Sequence, residues 1–402
     1  MIDNGPLLSI VMPTHNRSQY AFHAIRSVLQ IDGNIELVVT DTSSDRLLEG
    51  LLGASSFFDQ RLRYYPIREP SNITENYNAG VSRAKGEFIL LIGDDDTITP
   101  TALDIAAWAK ANRIDAVSQT ISANYAWPDF VARFVGSGHA SRLYFERRAP
   151  FIKRYRSSDA VRNGLANAGQ GSDGMPRCYH GIIRRTVLES FKATAGSYFF
   201  GSSPDVSGAF AVAISTEDYW ETNFPFSIPG ASANSNTGRS ATNKHKGDLE
   251  GEAQTAAYTN SGWSEGVPRF FAVETVWAHA AIETLLRIAP QLLKEFNFAR
   301  LLGRCMYAHP DYRTAIEEAI PGAANILGID RSRLWQDALH ERNRARYQRL
   351  AHLARRMMRP TAAGGRPHID DLSDILEAQL ALSNVLENSR ADFLELLKKT
   401  HA

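Results

Sequence analysis

Apolar positions in the first hundred residues follow two alternating patterns. Short continuous apolar runs are typical of buried strands, and they alternate with segments whose apolar residues recur at helical spacing. The runs predict strands at 7–12, 35–39, 62–65 and 88–93, and the helical spacing predicts helices at 19–30, 74–84 and 100–111. This alternation indicates an α/β fold with a mostly parallel sheet.

Polar side chains follow three of the predicted strands. Thr14 to Arg17 end the first strand, Asp41 to Asp45 follow the second, and Asp94 to Asp96 follow the strand at 88–93. Ligands of open α/β sheets bind in the crevice at the carboxyl ends of the strands. We therefore expect these three polar segments to meet in one crevice.

Three consecutive carboxylates, Asp94, Asp95 and Asp96, are the strongest chemical signal in the chain. Carboxylates so close together raise each other's pKa unless a cation neutralises them. Carboxylate oxygens are the ligands that hard divalent ions such as Mg²⁺ and Mn²⁺ prefer. The triplet therefore predicts a metal site that serves a phosphate-bearing substrate, with a solvated acidic turn as the alternative.

Composition narrows the class of protein. The 402 residues carry 44 basic and 44 acidic side chains, so no overall positive field favours nucleic acid. The spacing of the two cysteines does not predict a disulfide framework. The sequence has no apolar stretch long enough to predict a membrane span. The N-terminus lacks the pattern of a signal peptide, and we expect a cytoplasmic enzyme.

Four segments resemble the motifs of family 2 glycosyltransferases. Ser9 to Arg17 resembles the opening strand and loop of that family, and Leu37 to Asp45 resembles its second strand and acidic turn. Asn76 to Gly80 is similar to the helix before the metal strand, and Gly93 to Asp96 resembles the DxD region. The resemblance implies a GT-A fold and an inverting, nucleotide-sugar-dependent transferase of polysaccharide biosynthesis that uses Mn²⁺ or Mg²⁺.

The resemblance also implies roles for individual residues. Thr14 and Asp41 would bind the nucleotide base, and Asp94 would hold the ribose or a metal-bound water. Asp95 would be the main metal ligand, and Asp96 would orient it. The residues expected at the nucleotide-sugar site are Pro13, Thr14, Arg17, Asp41, Asn76 and Asp94, and those expected at the metal are Asp95 and Asp96.

An inverting transferase also needs a carboxylate base that deprotonates the acceptor hydroxyl. Asp205 follows Ser203-Pro204 just before a helix of small residues, where a helix-capping role is the alternative. Asp218 resembles the Glu-Asp base motif of the family, but a strand follows it where the family usually has a helix. We favour Asp205, with Asp218 as the alternative base.

The rest of the chain predicts a helical half. We expect a glycosyltransferase domain at 1–230, a flexible loop or lid at 231–266 and a helical domain at 267–402. Ten arginines and two acids lie between Arg331 and Arg366. This basic amphipathic segment indicates peripheral contact with the anionic inner face of a membrane, with a solvated or self-associating surface as the alternative.

Two other functions fit parts of the sequence. Asp94 to Asp96 superficially fit the nucleophile loop of HAD-type phosphotransferases, in which Asp94 and Asp96 would do the chemistry. A non-catalytic module that binds a sugar nucleotide or a glycan is the other alternative. The sequence favours a metal-dependent transferase that moves a sugar from a nucleotide-diphosphate donor to a hydroxyl of a glycan, lipid-linked or small-molecule acceptor.

Overall fold

The computed structural model of the chain describes residues 5–54, 59–69, 71–133, 135–242, 245–260, 262–357 and 363–401. Its strands are β1 (Leu8–Thr14), β2 (Ile35–Asp41), β3 (Leu62–Pro66), β4 (Phe88–Leu91), β5 (Thr97–Ile98), β6 (Ala116–Gln119), β7 (Ala123–Ala126), β8 (Arg142–Phe145), β9 (Ile152–Arg156), β10 (Gly181–Arg184), β11 (Asp218–Thr222), β12 (Ser227–Ile228), β13 (Gly230–Ala231), β14 (Lys246–Gly247), β15 (Phe271–Ala272) and β16 (His368–Ile369).

The helices alternate with these strands in the first half of the chain and dominate the second. They are α1 (Ser18–Leu29), α2 (Leu47–Ala54), α3 (Ile73–Arg83), α4 (Thr101–Ala111), α5 (Ser157–Ala166), α6 (Arg185–Ala195), α7 (Pro204–Ser215), α8 (Asn236–Ala241), α9 (Val273–Ile288), α10 (Phe298–Ala308), α11 (Arg313–Leu327), α12 (Arg331–Met357) and α13 (Ile375–Lys399). Among the described residues, no helix is long and apolar enough to cross a membrane.

One eight-stranded sheet organises the first half of the chain, in the order β3-β2-β1-β4-β10-β6-β11-β9. Neighbouring strands are parallel from β3 to β4 and between β6 and β11, whereas β10 and β9 run antiparallel to their neighbours. The expected α/β class with a mostly parallel sheet is confirmed. The predicted strands and helices match β1 to β4, α1, α3 and α4, and α2 is an additional helix.

The register of the sheet aligns the polar strand ends. Thr14 pairs with Asp41 across β1 and β2, and Val11 pairs with Leu91 across β1 and β4. The loops after β1, β2 and β4 therefore leave the sheet at the same edge. This edge carries all three polar segments that the sequence predicted to meet.

Alternate side chains of the central strands build two separate layers. Ile10 and Met12 of β1 belong to the cluster on one face, whereas Val11 belongs to the cluster on the other. The Ile10 face is covered by α1, α4 and α13, and the Val11 face by α3, α5, α7 and α9. The alternation is the side-chain period of a strand, which makes both faces of a central strand apolar.

The C-terminal helices divide between the two layers. α10, α11 and α12 pack with α9 on the Val11 face, whereas α13 crosses back and packs against α1 and α4. β16 also pairs with β8 of the first half. The chain after residue 267 thus contributes to both faces of the sheet, while the expected domain boundaries stay a prediction.

Candidate functional site

A cavity of about 360 Å³ lies where β1, β2 and β4 end. Five residues predicted at the nucleotide-sugar site line it, together with the predicted metal ligand Asp95. Those five are Pro13, Thr14, Arg17, Asn76 and Asp94. The opposite wall comes from the segment predicted as a lid, which contributes α8 and residues 252–254. The crevice expected from the strand ends therefore exists.

Asp94 and Asp95 are buried side by side and are held by one guanidinium. Arg17 Nη1 lies 2.8 Å from Asp94 Oδ1, and Arg17 Nη2 lies 2.7 Å from Asp95 Oδ2. Thr14 Oγ1 donates to Asp94 Oδ2 at 2.7 Å, and Ser232 donates to Asp95 Oδ2 from its hydroxyl at 2.7 Å and its amide at 3.1 Å. Residues far apart in the chain thus converge on two carboxylates.

Burial dominates the acidity of this pair. It raises the pKa of Asp94 to about 6 against the opposing charge of Arg17, and it raises the pKa of Asp95 as well. Burial alone would lower the pKa of Arg17, but the adjacent charges of Asp94 and Asp95 raise it above its ordinary value. The guanidinium therefore stays charged. A further cation would stabilise the charged form of the two carboxylates more.

Asp96 has a different environment from its two neighbours. Its Oδ2 accepts from the amide of Gly93 at 2.6 Å and from the hydroxyl of Tyr179 at 2.7 Å, and its Oδ1 accepts from the amide of Gly230 at 2.6 Å. His180 Nε2 lies 3.2 Å from Oδ2. Burial raises the pKa of Asp96, but these partners, His180 foremost, bring it below its ordinary value.

The predicted metal contact of Asp96 is not favoured by this arrangement, because its oxygens are turned to the loop and not to the cavity. Asp94, which the sequence assigned to the nucleotide, lies beside Asp95 at the cavity wall. The donor set that faces the cavity is therefore Asp94 with Asp95. Carboxylate oxygens suit a hard divalent cation, so these residues fit Mg²⁺ or Mn²⁺ chemically.

Asp41 lies behind the cavity wall. Its Oδ1 accepts from the amide of Ser43 at 2.9 Å, and its Oδ2 accepts from the hydroxyl of Tyr64 at 2.7 Å. Its neighbour Thr42 lines the cavity in its place. The expected contact between Asp41 and the nucleotide base stays a prediction.

Asn76 offers the cavity an unused acceptor. Its amide nitrogen donates to the carbonyl of Thr14 at 3.1 Å and to the hydroxyl of Thr42 at 3.3 Å. Its Oδ1 is buried and has no hydrogen-bond partner among the described residues. A buried acceptor left without a partner is costly, so this oxygen is a candidate acceptor for a ligand N–H or O–H group.

A second cavity of about 460 Å³ adjoins the first and contains Asp205. Asp205 is half-buried in the first turn of α7, where the hydroxyl of Ser203 donates to it. Trp277 and apolar residues of α9 form the opposite wall. The residues that line both cavities are Ile73, Tyr77, Tyr179, Asn236, Thr237 and Gln254.

Tyr77 lines both cavities, and nearby carboxylates influence its pKa. Burial raises its pKa well above the ordinary value, and four carboxylates raise it further, namely Asp96, Asp205, Asp94 and Asp95. The ring of Tyr179 lies 6.5 Å from that of Tyr77. Asp205 is therefore within electrostatic range of the same tyrosine as the aspartate triplet.

The structure does not bring Asp218 to either cavity. Asp218 begins β11, which runs parallel to β6, so it lies at the amino edge of the sheet. Arg154 of β9 donates to Asp218 Oδ2 through Nε at 2.9 Å. The alternative base is thus paired on the far side of the sheet from the aspartate triplet.

Several residues of the site carry no recognisable sequence signal. Ser232, Gly230 and His180 hold the triplet from distant parts of the chain, and Trp127 Nε1 donates to the carbonyl of Asp95 at 3.0 Å. The only local hint is Gly230, at which a Cβ atom would lie 1.8 Å from the carbonyl oxygen of Asp95. A glycine in a polar loop is too common to have identified this contact.

Comparison with known proteins identifies a family to which part of the chain is similar. A parallel α/β sheet with a polar cavity at the carboxyl ends of its strands is typical of nucleotide-binding proteins. Residues 9–155 match the model of glycosyl transferase family 2. This segment is therefore similar to that family, and the mostly parallel α/β sheet agrees with the GT-A fold that the motifs implied.

Two curated relatives each match part of the chain. "Putative colanic acid biosynthesis glycosyl transferase WcaA" of Escherichia coli is 31% identical over 153 residues, which is 36% of this chain and 54% of the relative. A GalNAc(5)-diNAcBac-PP-undecaprenol beta-1,3-glucosyltransferase of Campylobacter jejuni is 30% identical over 109 residues, 27% of this chain and 35% of the relative. The chain thus spans about half the length of the first and a third of the second.

Among solved structures, the chain resembles residues 1–349 of TarS from S. aureus in complex with UDP-GlcNAc. The TM-score is 0.44 and the sequence identity 14%, over 80% of this chain and 90% of that one.

Proposed function

We propose that the chain is a metal-dependent, inverting glycosyltransferase that moves one sugar from a nucleotide-diphosphate donor to a hydroxyl of a carbohydrate acceptor. The observation that carries this proposal is the pair of adjoining cavities. One contains Asp94 and Asp95, the other contains Asp205, and Tyr77 and Tyr179 lie in the wall of both. Such a pair can hold donor and acceptor next to each other.

The first cavity suits the donor. Asp94 and Asp95 would hold Mg²⁺ or Mn²⁺, which when bound stabilises the negative charge that the diphosphate gains as it leaves. The nucleoside would lie along Pro13, Thr14 and Asn76. The buried Oδ1 of Asn76 has no partner in the part of the chain that the structure describes. Arg17 adds a positive charge at the wall of the same cavity.

The second cavity suits the acceptor. Trp277 and Tyr77 offer aromatic surface to the apolar face of a sugar ring. Asp205 would accept the proton of the acceptor hydroxyl as its oxygen attacks the anomeric carbon from the side opposite the leaving diphosphate. Attack from that side inverts the anomeric centre, which agrees with the mechanism that the family motifs imply.

The names of the relatives support a polysaccharide or lipid-linked acceptor. One relative is named for colanic acid biosynthesis, and the other for a glycan carried on undecaprenol diphosphate. A carbohydrate hydroxyl is the acceptor group common to both names. We propose the same group as the acceptor of this chain.

The two alternative functions fit the site less well. Phosphotransfer through Asp94 and Asp96 needs both side chains at the substrate, but Asp96 is held by Gly93, Gly230 and Tyr179 and does not line the cavity. A module that only binds a sugar nucleotide has no use for Asp205 in the second cavity. Both observations favour the transferase.

Substitution of the base tests this function. Asp205→Asn is expected to lower transfer by about 10²-fold or more, because the acceptor hydroxyl loses its proton acceptor. Donor affinity, measured by the rise in melting temperature with UDP-, GDP- and dTDP-sugars and Mn²⁺, is expected to stay near wild type.

Asp218→Asn is the matched control, because Asp218 is another partly buried aspartate that lies in neither cavity. It is expected to retain transfer. Loss of transfer in Asp218→Asn with full activity in Asp205→Asn would overturn the assignment of the base.

A further inference from the structure

Arg17 occupies the position at which the proposed metal would act. Its two terminal nitrogens lie 2.8 and 2.7 Å from oxygens of Asp94 and Asp95, the two carboxylates that face the donor cavity. No other basic side chain of the described residues pairs with either aspartate. The guanidinium is thus the counter-cation of this pair in the protein by itself.

The surroundings of Arg17 hold it only in part. Nη2 also donates to the hydroxyl of Ser232, whereas Nε is buried and has no hydrogen-bond partner within the described ranges. The side chain is 19% exposed and lines the donor cavity. Arg17 precedes α1 and makes no side-chain cap to it. The guanidinium can therefore leave the carboxylates toward the cavity without breaking a helix cap.

The guanidinium and a divalent ion cannot both bind these oxygens in the present arrangement, because both are positively charged. Two buried carboxylates need a cation, because like charges at this separation destabilise each other. A divalent ion bound to the same oxygens would lie next to the guanidinium and repel it. Buried charges interact more strongly than charges in water, so the repulsion is large.

We propose that Arg17 is an internal counter-cation, which neutralises Asp94 and Asp95 while no metal is bound and gives them up when a divalent ion enters. This inference rests on the proposed function, because it takes the two aspartates as the metal ligands. The released guanidinium stays at the wall of the donor cavity, where it meets the anionic diphosphate. Metal entry and donor binding are thereby coupled through one side chain.

The test is Mn²⁺ binding to the full chain without nucleotide, measured from the electron paramagnetic resonance signal of free Mn²⁺. Arg17→Gln removes the competing charge and is expected to lower the Mn²⁺ dissociation constant by about tenfold or more, the size of shift that one neighbouring charge gives a carboxylate. In a chelator this variant is expected to melt below wild type, and Mn²⁺ is expected to raise its melting temperature more than that of wild type.

Two controls separate the inference from a general effect of charge. Arg26→Gln removes an arginine from α1 that lies over the ring of Phe22, away from the aspartates, and is expected to bind Mn²⁺ as wild type does. Asp95→Asn is expected to lose Mn²⁺ binding. If Arg17→Gln fails to fold, Arg17→Met, which keeps an unbranched side chain and removes the charge, is expected to bind Mn²⁺ more tightly than wild type.

The outcomes distinguish this inference from the proposed function. An unchanged or higher Mn²⁺ dissociation constant in folded Arg17→Gln or Arg17→Met, with wild type binding Mn²⁺ and Asp95→Asn not, overturns the role of Arg17 and leaves the metal site standing. Absence of Mn²⁺ binding in both wild type and Arg17→Gln overturns the role of Arg17 and the metal dependence together.

Discussion

At the scale of single residues, the site is organised by the demand of buried carboxylates for partners. Asp94 and Asp95 receive a guanidinium, two hydroxyls and one amide, whereas Asp96 receives two amides, a phenol and a histidine. Asp94 and Asp95 line the cavity, whereas Asp96 does not. This arrangement agrees with a loop-supporting role for Asp96 and leaves Asp94 and Asp95 as the candidates for binding a ligand.

Gly230 provides a test of this loop support. A Cβ atom at residue 230 would lie 1.8 Å from the carbonyl oxygen of Asp95, and the amide of Gly230 donates to Asp96. Gly230→Ala is expected to lower the free energy of unfolding by about 1–3 kcal/mol, the usual cost of overpacking, and to weaken donor binding because the triplet shifts.

The measurements are chemical denaturation and donor titration. Gly247→Ala is the matched control, because its Cβ would meet only the flexible side chain of Glu252, at 3.5 Å. Equal stability of Gly230→Ala and Gly247→Ala would contradict the close approach of residue 230 to the triplet.

At the scale of elements, α13 depends on its first residues for its attachment to the sheet. Asp374 caps this helix by accepting from the amides of Leu376 and Glu377, at 2.9 and 3.0 Å. The same carboxylate lies 2.8 Å from Nδ1 of His23 on α1. One side chain thus caps the N-terminus of the helix and connects it to the first half of the chain.

The cap has a predictable pH dependence. The close contact with His23, followed by the amide bonds, holds the pKa of Asp374 below its ordinary value despite burial. A carboxylate with a lowered pKa stabilises the fold fully above its unfolded pKa of about 4 and loses that stabilisation as the pH falls through the folded value.

Asp374→Ala is therefore expected to lower the free energy of unfolding by about 1 kcal/mol at pH 7, and the difference from wild type is expected to shrink below about pH 4. Thermal melts at pH 7 and pH 3.5 measure both effects. Asp392→Ala, an exposed position on the same helix, is the control and is expected to melt as wild type does. A difference that grows on acidification would contradict the role of the ionised carboxylate.

At the scale of the whole molecule, the charges balance but are not evenly spread. The exposed face of α12 carries Arg342, Arg346 and Arg349 beside Tyr347 and Leu350, which are 73% and 54% exposed. Arg355, Arg356 and Arg359, which belong to the same sequence pattern, lie outside the described side chains. An exposed basic and apolar face is typical of a helix that lies on an anionic lipid surface.

We predict salt-sensitive co-sedimentation of the full chain with anionic phosphatidylserine vesicles. The triple variant Arg342→Gln, Arg346→Gln and Arg349→Gln is expected to lose about 1 kcal/mol of binding free energy for each charge removed. A control that removes three other exposed charges is expected to bind as wild type does, namely Arg147→Gln, Arg148→Gln and Lys294→Gln. Equal vesicle binding by the two triple variants would assign this face to self-association or solvation.

The sequence alone predicted most elements of residues 7–111 and the place of the candidate site at the strand ends. Strand and helix periods placed β1 to β4, α1, α3 and α4, because the period of apolar residues is a local property that each segment carries by itself. The triplet at Asp94 to Asp96 was recognisable for the same reason. The mostly parallel direction followed from the alternation of strands and helices, and the meeting of the polar strand ends followed from the crevice that such sheets form at the carboxyl ends of their strands. The order of the strands was not predicted.

Tertiary structure alone decided how the residues of the candidate site are arranged. Packing between distant segments places Arg17 against Asp94 and Asp95 and turns Asp96 away from the cavity. It also places Asp205 beside the cavity that contains Asp94 and Asp95, and Asp218 at the far edge of the sheet. The return of α13 to the first half of the chain depends on it too. Local periodicity carries no information on which segments meet, because long-range contacts are fixed only when the buried faces of all elements are satisfied together.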